Sequence, residues 1–218
     1  MTNVKICGIS KVEDALAVAE AGADFMGLMF ASSPRQVSAE TARQIVEALG
    51  GAPTKPQVVG VFVNTSASGI NRLTDFCGLD LVQLSGDESW EYCWDVSRPV
   101  IKVIHVSGHE GAEPVLAELS RGESVLGPKV FACMLDTEVA GRYGGTGKKF
   151  DWELAGEVGK QSPVIIAGGL DASNVEQAIR TAKPWGVDVS SGVETGGTKD
   201  IAKIKKFVRA VRRVDSEV

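Results

Sequence analysis

Two reactive side chains stand where apolar, strand-like runs end. Cys7 ends the run 4–7, and Asp136 directly follows the run 130–135. A thiolate can accept a proton and a protonated carboxyl can donate one, so this pair could act as base and acid. Cys7 is equally well explained as a small buried hydrophobe. An acid beside an apolar run is costly unless it is paired or functional, so Asp136 is either functional, a cap or part of a salt bridge.

Two glycine-rich turns late in the chain have the character of an anion site. Gly168 and Gly169 follow one apolar run, and Ser190, Ser191 and Gly192 follow the next. Backbone N–H groups and a nearby helix N-terminus can meet phosphate oxygens there, and glycine lets the main chain approach closely. Either turn alone could be a simple chain reversal. The two together predict a phosphate site.

Three more side chains and one loop complete the candidate set. Arg35 follows the second apolar run and could hold a carboxylate bidentately, although a solvated loop arginine is the commoner case. Asp188 shares strand parity with Ser190 and could accept a hydrogen bond from a substrate hydroxyl. His105, inside the fifth run, is expected to be packed and hydrogen-bonded. The glycine-rich connection 141–148 is the candidate for a mobile lid, with a flexible turn as the alternative.

The elements that must position these residues alternate between strand and helix. Helical stripes occur at Ala42, Ile45, Val46 and Leu49, for example, and capping-box spacings at Ser10 with Glu13 and Ser173 with Glu176 predict two helix starts. Near-continuous apolar runs indicate strands covered on both faces, as in a parallel sheet. These runs are Val4–Cys7, Phe25–Phe30, Val58–Val63, Leu81–Leu84, Val100–Val106, Val130–Leu135, Val164–Ala167 and Val187–Val189.

This alternation predicts one α/β domain, residues 1–218, folded as a (β/α)8 TIM barrel with a parallel eight-stranded barrel and outer helices. The alternative is an open doubly wound sheet. The count of eight strands, and the lack of a GxGxxG motif after the first, favour closure. In such a barrel the chemistry sits at the carboxyl ends of the strands, which is where Cys7 and Asp136 stand.

The composition excludes several function classes. The formal net charge is −5 without a Lys/Arg-rich block, so no nucleic-acid binding is predicted. The apolar runs are too short to span a membrane, and the N-terminus lacks a secretion signal, which predicts a cytoplasmic protein with no membrane partner. Four cysteines without CxxC spacing and two histidines, His105 and His109, predict no metal site. Cys77, Cys93 and Cys133 are expected to serve packing.

A set of short motifs, in order from residue 4 to about residue 207, resembles the phosphoribosylanthranilate isomerase family. The resemblance implies a (β/α)8 barrel and an Amadori rearrangement in tryptophan biosynthesis. N-(5-phosphoribosyl)anthranilate would become 1-(2-carboxyphenylamino)-1-deoxyribulose 5-phosphate, with no cofactor. The motifs are Lys5-Ile6-Cys7-Gly8-Ile9, Ser33-Pro34-Arg35, Val59-Gly60-Val61-Phe62-Val63-Asn64, Leu81-Val82-Gln83-Leu84, Leu135-Asp136-Thr137, Gly144-Gly145-Thr146-Gly147, Ala167-Gly168-Gly169-Leu170 and Val187-Asp188-Val189-Ser190-Ser191-Gly192-Val193-Glu194.

The resemblance also implies roles for individual residues. Cys7 would be the general base and Asp136 the general acid, and Arg35 would hold the anthranilate carboxylate. The turns at 168–169 and 190–192 would hold the phosphate of this small-molecule substrate. Lys5, one layer below Cys7 on the same strand face, is expected to stabilise the thiolate. Members of the family occur as monomers and as homodimers.

The chain departs from the family pattern at two places. Ser85-Gly86 stands where the family usually has His-Gly, which removes an imidazole at the end of the fourth strand. Phe30-Ala31-Ser32 stands where the family often has an aromatic residue and a Lys or Pro.

Two other functions remain open at this point. One is a related phosphosugar isomerase or epimerase barrel, although the histidine-pathway isomerase has an Asp in place of Cys7. The other is a non-catalytic barrel that binds a phosphosugar as a sensor.

Overall fold

Eight parallel strands close into a barrel in a computed structural model that describes residues 1–52, 54–106, 111–126, 130–137 and 151–217. Each strand pairs with its chain neighbour, and β8 pairs with β1 to close the sheet. The barrel prediction is confirmed, and the open doubly wound sheet is wrong. The candidate lid at 141–148 and His109 lie outside the described residues. The strands are β1 Asn3–Cys7, β2 Phe25–Met29, β3 Gln57–Phe62, β4 Leu81–Leu84, β5 Val100–Val106, β6 Val130–Thr137, β7 Val164–Ile166 and β8 Gly186–Val189.

Helices surround the barrel. They are α1 Val12–Ala21, α2 Ala39–Leu49, α3 Ala67–Cys77, α4 Ala112–Leu126, α5 Trp152–Gly159, α6 Val175–Ala182 and α7 Ile201–Asp215. A 3-10 helix, Glu91–Asp95, takes the place of an α-helix between β4 and β5, and another, Ser191–Val193, follows β8. A small hairpin of β9 Glu194–Thr195 and β10 Thr198–Lys199 comes next. Within the described ranges, no helix combines the length and apolarity needed to cross a bilayer.

Both faces of the strands are buried. One face packs against the outer helices, and the other faces the inside of the barrel. The larger cluster, between strands and helices, includes Val4 and Ile6, whereas the smaller cluster fills the barrel interior. Side chains alternate along a strand, so Lys5 and Cys7 point inward from β1. The interior cluster consists of Phe25, Val59, Leu81, Ile101, Val103, Ala132, Met134, Ile165 and Ala167. The interior is thus apolar on most strands and polar where β1 meets β8, which contributes the buried Asp188.

The two predicted capping boxes are wrong. Helix α1 starts at Val12 and α6 starts at Val175, and neither has a side-chain cap. Each predicted glutamate is therefore the second helical residue, where the reciprocal bond of a capping box cannot form. Ser173 instead donates its hydroxyl to Asp171 Oδ1. Side-chain caps that do form are at Ser38, Ser66, Asp151 and Asp200, each worth about 1 kcal/mol.

Candidate active site

Cys7 lies beside a buried ion pair at the seam where β1 meets β8. Lys5 Nζ donates to Asp188 Oδ1 at 2.6 Å, and both side chains are buried. Gly27 on β2 pairs with Cys7 in the strand register. A Cβ on Gly27 would lie 2.7 Å from Cys7 Sγ and 3.2 Å from Lys5 Nζ. The absence of a side chain at Gly27 therefore makes the room that the sulfur and the amine occupy.

The charges around Cys7 act against one another. Burial raises the pKa of the Cys7 thiol, the positive charges of Lys5 and Lys199 oppose that shift, and Asp188 adds to it. The net pKa of Cys7 is raised. Burial alone would lower the pKa of Lys5, but the negative charges of the Asp188 carboxylate and of a Cys7 thiolate outweigh it and raise the pKa. Lys5 therefore keeps its proton and offers a fixed positive charge to a thiolate at Cys7.

Arg35 reaches an ion-pair network at the end of β8. Its Nε and Nη2 atoms donate to the two carboxylate oxygens of Glu194 at 2.6 and 2.7 Å. Lys199 Nζ donates to the same carboxylate at 2.7 Å and to the backbone oxygen of Ser190 at 2.9 Å. Burial alone would raise the pKa of Glu194, but the hydrogen bonds from Arg35 and Lys199 lower it. Glu194 is therefore an anion held between two cations.

The two glycine-rich turns predicted to bind phosphate touch each other. A Cβ on Gly192 would lie 1.9 Å from the backbone oxygen of Leu170, which follows the first turn. Gly168 and Gly169 have φ values of 95° and 65°, which a residue with a side chain rarely adopts. Asn174 Nδ2 donates to the Gly169 oxygen at 2.9 Å and fixes that turn. Glycine is therefore required in both turns, on steric grounds in one and conformational grounds in the other.

Arg35 passes directly over the residue that follows Cys7. Gly8 has a φ of 78°, and a Cβ there would lie 2.5 Å from Arg35 Cδ and 3.2 Å from Ser190 Oγ. The end of β1, the arginine after β2 and the turn after β8 thus meet at one place. The structure brings together Cys7, Arg35, Asp188 and the two turns.

Asp136 lies at the same end of the barrel, on β6. It shares strand parity with Ala132 and Met134 of the interior cluster, so its half-buried side chain is on the interior face. Its register partner on β5 is His105. In a parallel sheet, register partners lie side by side on the same face, so an imidazole neighbours this carboxyl.

The imidazole of His105, from β5, lies at the end of β4, although the residue that follows β4 in this chain is Ser85 and not a histidine. His105 Nε2 is 3.0 Å from the Ser85 backbone oxygen. A carbonyl only accepts, so the hydrogen bond assigns the proton to Nε2. Gln83 Nε2 donates to Ser85 Oγ at 3.0 Å. The expectation that His105 is packed and hydrogen-bonded is confirmed, and its ring occupies the neighbourhood of the residue that departs from the family pattern.

Comparison with known proteins identifies the family. Residues 4–210 match the model for N-(5'-phosphoribosyl)anthranilate (PRA) isomerase. The chain belongs to this family. The membership confirms the isomerase class and the tryptophan pathway that the motifs implied.

Individual PRA isomerases are similar over nearly their whole length. The enzyme of Dehalococcoides mccartyi is 48% identical over 215 residues, covering 99% of this chain and 98% of that protein. The crystal structure of the Thermotoga maritima enzyme matches with a TM-score of 0.83 and 37% identity, covering 98% of this chain and 100% of that one. A second structure, with reduced 1-(o-carboxyphenylamino)-1-deoxyribulose 5-phosphate bound, has a TM-score of 0.79 and 34% identity, with the same coverage of both chains.

Four residues of this PRA isomerase family member were not singled out from the sequence. Gly27 carried a signal, since a glycine inside a strand pattern often marks a close approach. Asn174, Glu194 and Lys199 resemble ordinary surface residues in sequence, and only the fold shows their contacts. In the part of the chain that the structure describes, no group of three or more His, Cys, Asp and Glu side chains could hold a metal ion.

Proposed function

We propose that this protein is an N-(5-phosphoribosyl)anthranilate isomerase in which Cys7 is the general base and Asp136 the general acid. The observation that carries the proposal is the position of Cys7. It is buried on the interior face at the end of β1, beside Lys5. Arg35 and Ser190 lie against Gly8, the next residue, and the turn that contains Ser190 contacts the turn before Leu170. A base, a carboxylate receptor and a phosphate receptor are what an anthranilate phosphosugar requires.

The reaction follows from two proton transfers. Asp136 protonates the ring oxygen, the bond from C1 to that oxygen breaks, and the nitrogen lone pair forms an iminium. The Cys7 thiolate then removes the proton from C2, which gives an enol. As the enol becomes the ketone, the C2 hydroxyl loses its proton and C1 gains one. Asp136 must start protonated, which requires a pKa above the ordinary aspartate value of about 3.9. Cys7 must start as a thiolate.

The positive charges beside Cys7 support its role as base. Lys5 and Lys199 are both positively charged, and their charges favour the thiolate against the effect of burial. A buried thiol without such charges would stay protonated and inert. Lys5 therefore helps Cys7 to give up its proton before the substrate's C2 proton is removed.

The substrate is held at three places in this proposal. Arg35 binds the anthranilate carboxylate, and Gly168, Gly169, Ser190, Ser191 and Gly192 bind the phosphate through their N–H groups. Asp188 Oδ1 accepts from Lys5, so Oδ2 is the atom we assign to a substrate hydroxyl. Residues 1–218 act as one catalytic domain in the cytoplasm, as a monomer or a homodimer, without a cofactor.

The direct test is turnover of freshly made phosphoribosylanthranilate by the purified protein, followed as loss of the substrate's fluorescence. We expect enzyme-dependent decay. The histidine-pathway substrate is the comparison, and faster turnover of that compound would overturn the assignment in favour of the related phosphosugar isomerase. Tight binding of reduced product without any turnover would identify a sensor instead.

A further inference from the structure

Arg35 presents only half of its guanidinium to Glu194. The bidentate contact uses the edge formed by Nε and Nη2. A guanidinium has a second edge, formed by Nη1 and Nη2, that can take another carboxylate. The Arg35 side chain is 24% exposed, so part of it remains open to a ligand.

The second cation in this network decides its net charge. Arg35 and Glu194 alone would cancel, and a neutral pair attracts a carboxylate weakly. Lys199 is only 2% exposed and contacts the same carboxylate, whose side chain is 6% exposed. Arg35, Glu194 and Lys199 taken together therefore carry one net positive charge, and little water reaches Lys199 and Glu194. That charge is screened far less than a surface charge would be.

Lys199 also joins this network to the turn after β8. Its Nζ donates to the backbone oxygen of Ser190, while the same atom contacts Glu194. The register of the small hairpin places Lys199 opposite Glu194. One amine therefore holds both the anchor of Arg35 and the turn that is proposed to bind phosphate.

We propose that Glu194 and Lys199 are positioning residues that turn Arg35 into a fixed receptor for the substrate's aromatic carboxylate. Glu194 holds the guanidinium so that its second edge is available. Lys199 supplies the positive charge that Glu194 would otherwise cancel, and it sets the distance between the carboxylate receptor and the phosphate turn. This inference rests on the proposed function and adds two residues to it.

The test pairs two ligands with a set of variants of the full chain. The ligands are reduced 1-(o-carboxyphenylamino)-1-deoxyribulose 5-phosphate and the analogue that lacks the carboxyl group, and binding is measured by calorimetry. Lys199→Gln keeps a hydrogen-bond donor but removes the charge. We expect about a tenfold loss of affinity for the carboxylated ligand and less than a threefold change for the analogue.

Two further substitutions separate charge from position. Lys199→Met removes the contact to Ser190 as well, so we expect an added loss that is shared by both ligands. Glu194→Ala makes the site more positive yet releases the guanidinium, and we expect weaker binding of the carboxylated ligand because ordering Arg35 now opposes binding. Tighter binding by Glu194→Ala would overturn the positioning role of Glu194.

Controls distinguish this inference from a structural effect. Lys199→Arg should restore carboxylate preference. Lys203→Met is the matched control, because Lys203 Nζ donates to the backbone oxygen of Glu194 and, among the described residues, not to its carboxylate, so both affinities should be unchanged. If the wild type prefers the carboxylated ligand but Lys199→Gln loses affinity equally for both ligands, the positioning role of Lys199 is wrong and the proposed function still stands. If the wild type binds neither ligand, the proposed function fails with it.

Discussion

The two halves of the barrel mouth are built from different interactions. The charged half, Lys5, Cys7 and Asp188 with Arg35, Glu194 and Lys199, is held by short ion pairs across β1, β8 and the hairpin that follows. The hydrogen-bonded half, Gln83, Ser85 and His105 at the ends of β4 and β5, is held by hydrogen bonds among an amide, a hydroxyl, an imidazole and a carbonyl. Removing one partner of a buried ion pair strongly destabilises the fold, whereas removing one partner of a hydrogen bond between uncharged groups costs much less. The charged half should therefore tolerate change poorly.

The largest effect is expected from removing the proposed base or acid. Cys7→Ser or Asp136→Asn should each lower kcat by about 10² to 10⁴, because a positioned acid or base contributes that much. The measurement is the fluorescence assay at saturating substrate, with circular dichroism to verify folding. Near-normal turnover in either variant would reject the pairing.

Cys133 supplies the matched cysteine control for that experiment. It lies on β6, and burial raises its pKa to about 12, so it stays a thiol at neutral pH. Cys133→Ala should leave kcat unchanged. A large loss of kcat there would show that the fluorescence assay reports general damage to the barrel.

The next largest effect is expected from breaking the buried pair in the charged half. Lys5→Met leaves Asp188 buried without its cation and should lower the free energy of unfolding by about 3–5 kcal/mol, measured by urea denaturation. Lys5→Met/Asp188→Asn removes both charges and should recover a large part of that loss. Equal instability of the single and double variants would contradict the ion-pair explanation.

The same substitution should change the titration of Cys7. The thiolate is the form that reacts with iodoacetamide and the pKa of Cys7 is raised, so the rate of alkylation at Cys7, measured by mass spectrometry, should rise with pH and continue to rise above the ordinary thiol pKa of about 8.5. Lys5 lowers the pKa of Cys7, so Lys5→Met should move this rise to higher pH. An unchanged profile would show that Lys5 does not stabilise the thiolate.

A smaller effect is expected from filling the space beside the thiol. Gly27→Ala would place a Cβ 2.7 Å from Cys7 Sγ, so the sulfur must shift. A displacement of this kind costs up to about a hundredfold in rate, so we expect a tenfold to hundredfold fall in kcat. The substitution adds no charged group to the site. Gly51→Ala is the control, since an added Cβ there meets nothing within 4 Å. Equal kcat values for Gly27→Ala and Gly51→Ala would show that the space at Gly27 does not matter for the reaction.

The smallest effect is expected in the hydrogen-bonded half. Within the described residues, Gln83 Oε1 is buried and accepts no hydrogen bond. Gln83→Met therefore removes an unsatisfied acceptor, and the free energy of unfolding should stay within about 1 kcal/mol or rise. Urea denaturation beside Lys5→Met gives the comparison directly. A loss as large as that of Lys5→Met would show that the two halves do not differ.

Patterns local in sequence predicted the fold well. All eight strands lie where the apolar runs are, because strands buried on both faces need continuous apolar sequence. Helix starts at Ser10 and Ser173 were wrong, because a cap depends on the register of one residue. Leu16 of α1 is 43% exposed, so an apolar residue in a helix is not by itself evidence of a buried position.

Residues of the candidate site could be selected from the sequence only where reactive side chains and strand ends coincide. Cys7, Asp136 and the two turns stand at the ends of strands, and the barrel rule therefore singled them out. The partner of Arg35 was not predictable, since Glu194 is 159 positions away and no local pattern joins them. Partners brought together only by closure of the sheet leave no periodic signal.

The seam between β1 and β8 ties the chemistry to the completion of the fold. Lys5 and Asp188 are separated by 183 positions and belong to the first and last strands of the barrel. A chain still emerging from the ribosome has its thiol and its lysine early but lacks the carboxylate that holds the lysine in place. The reactivity of Cys7 toward a thiol reagent should therefore change when the final strand docks, which makes the reactive group itself a reporter of barrel closure.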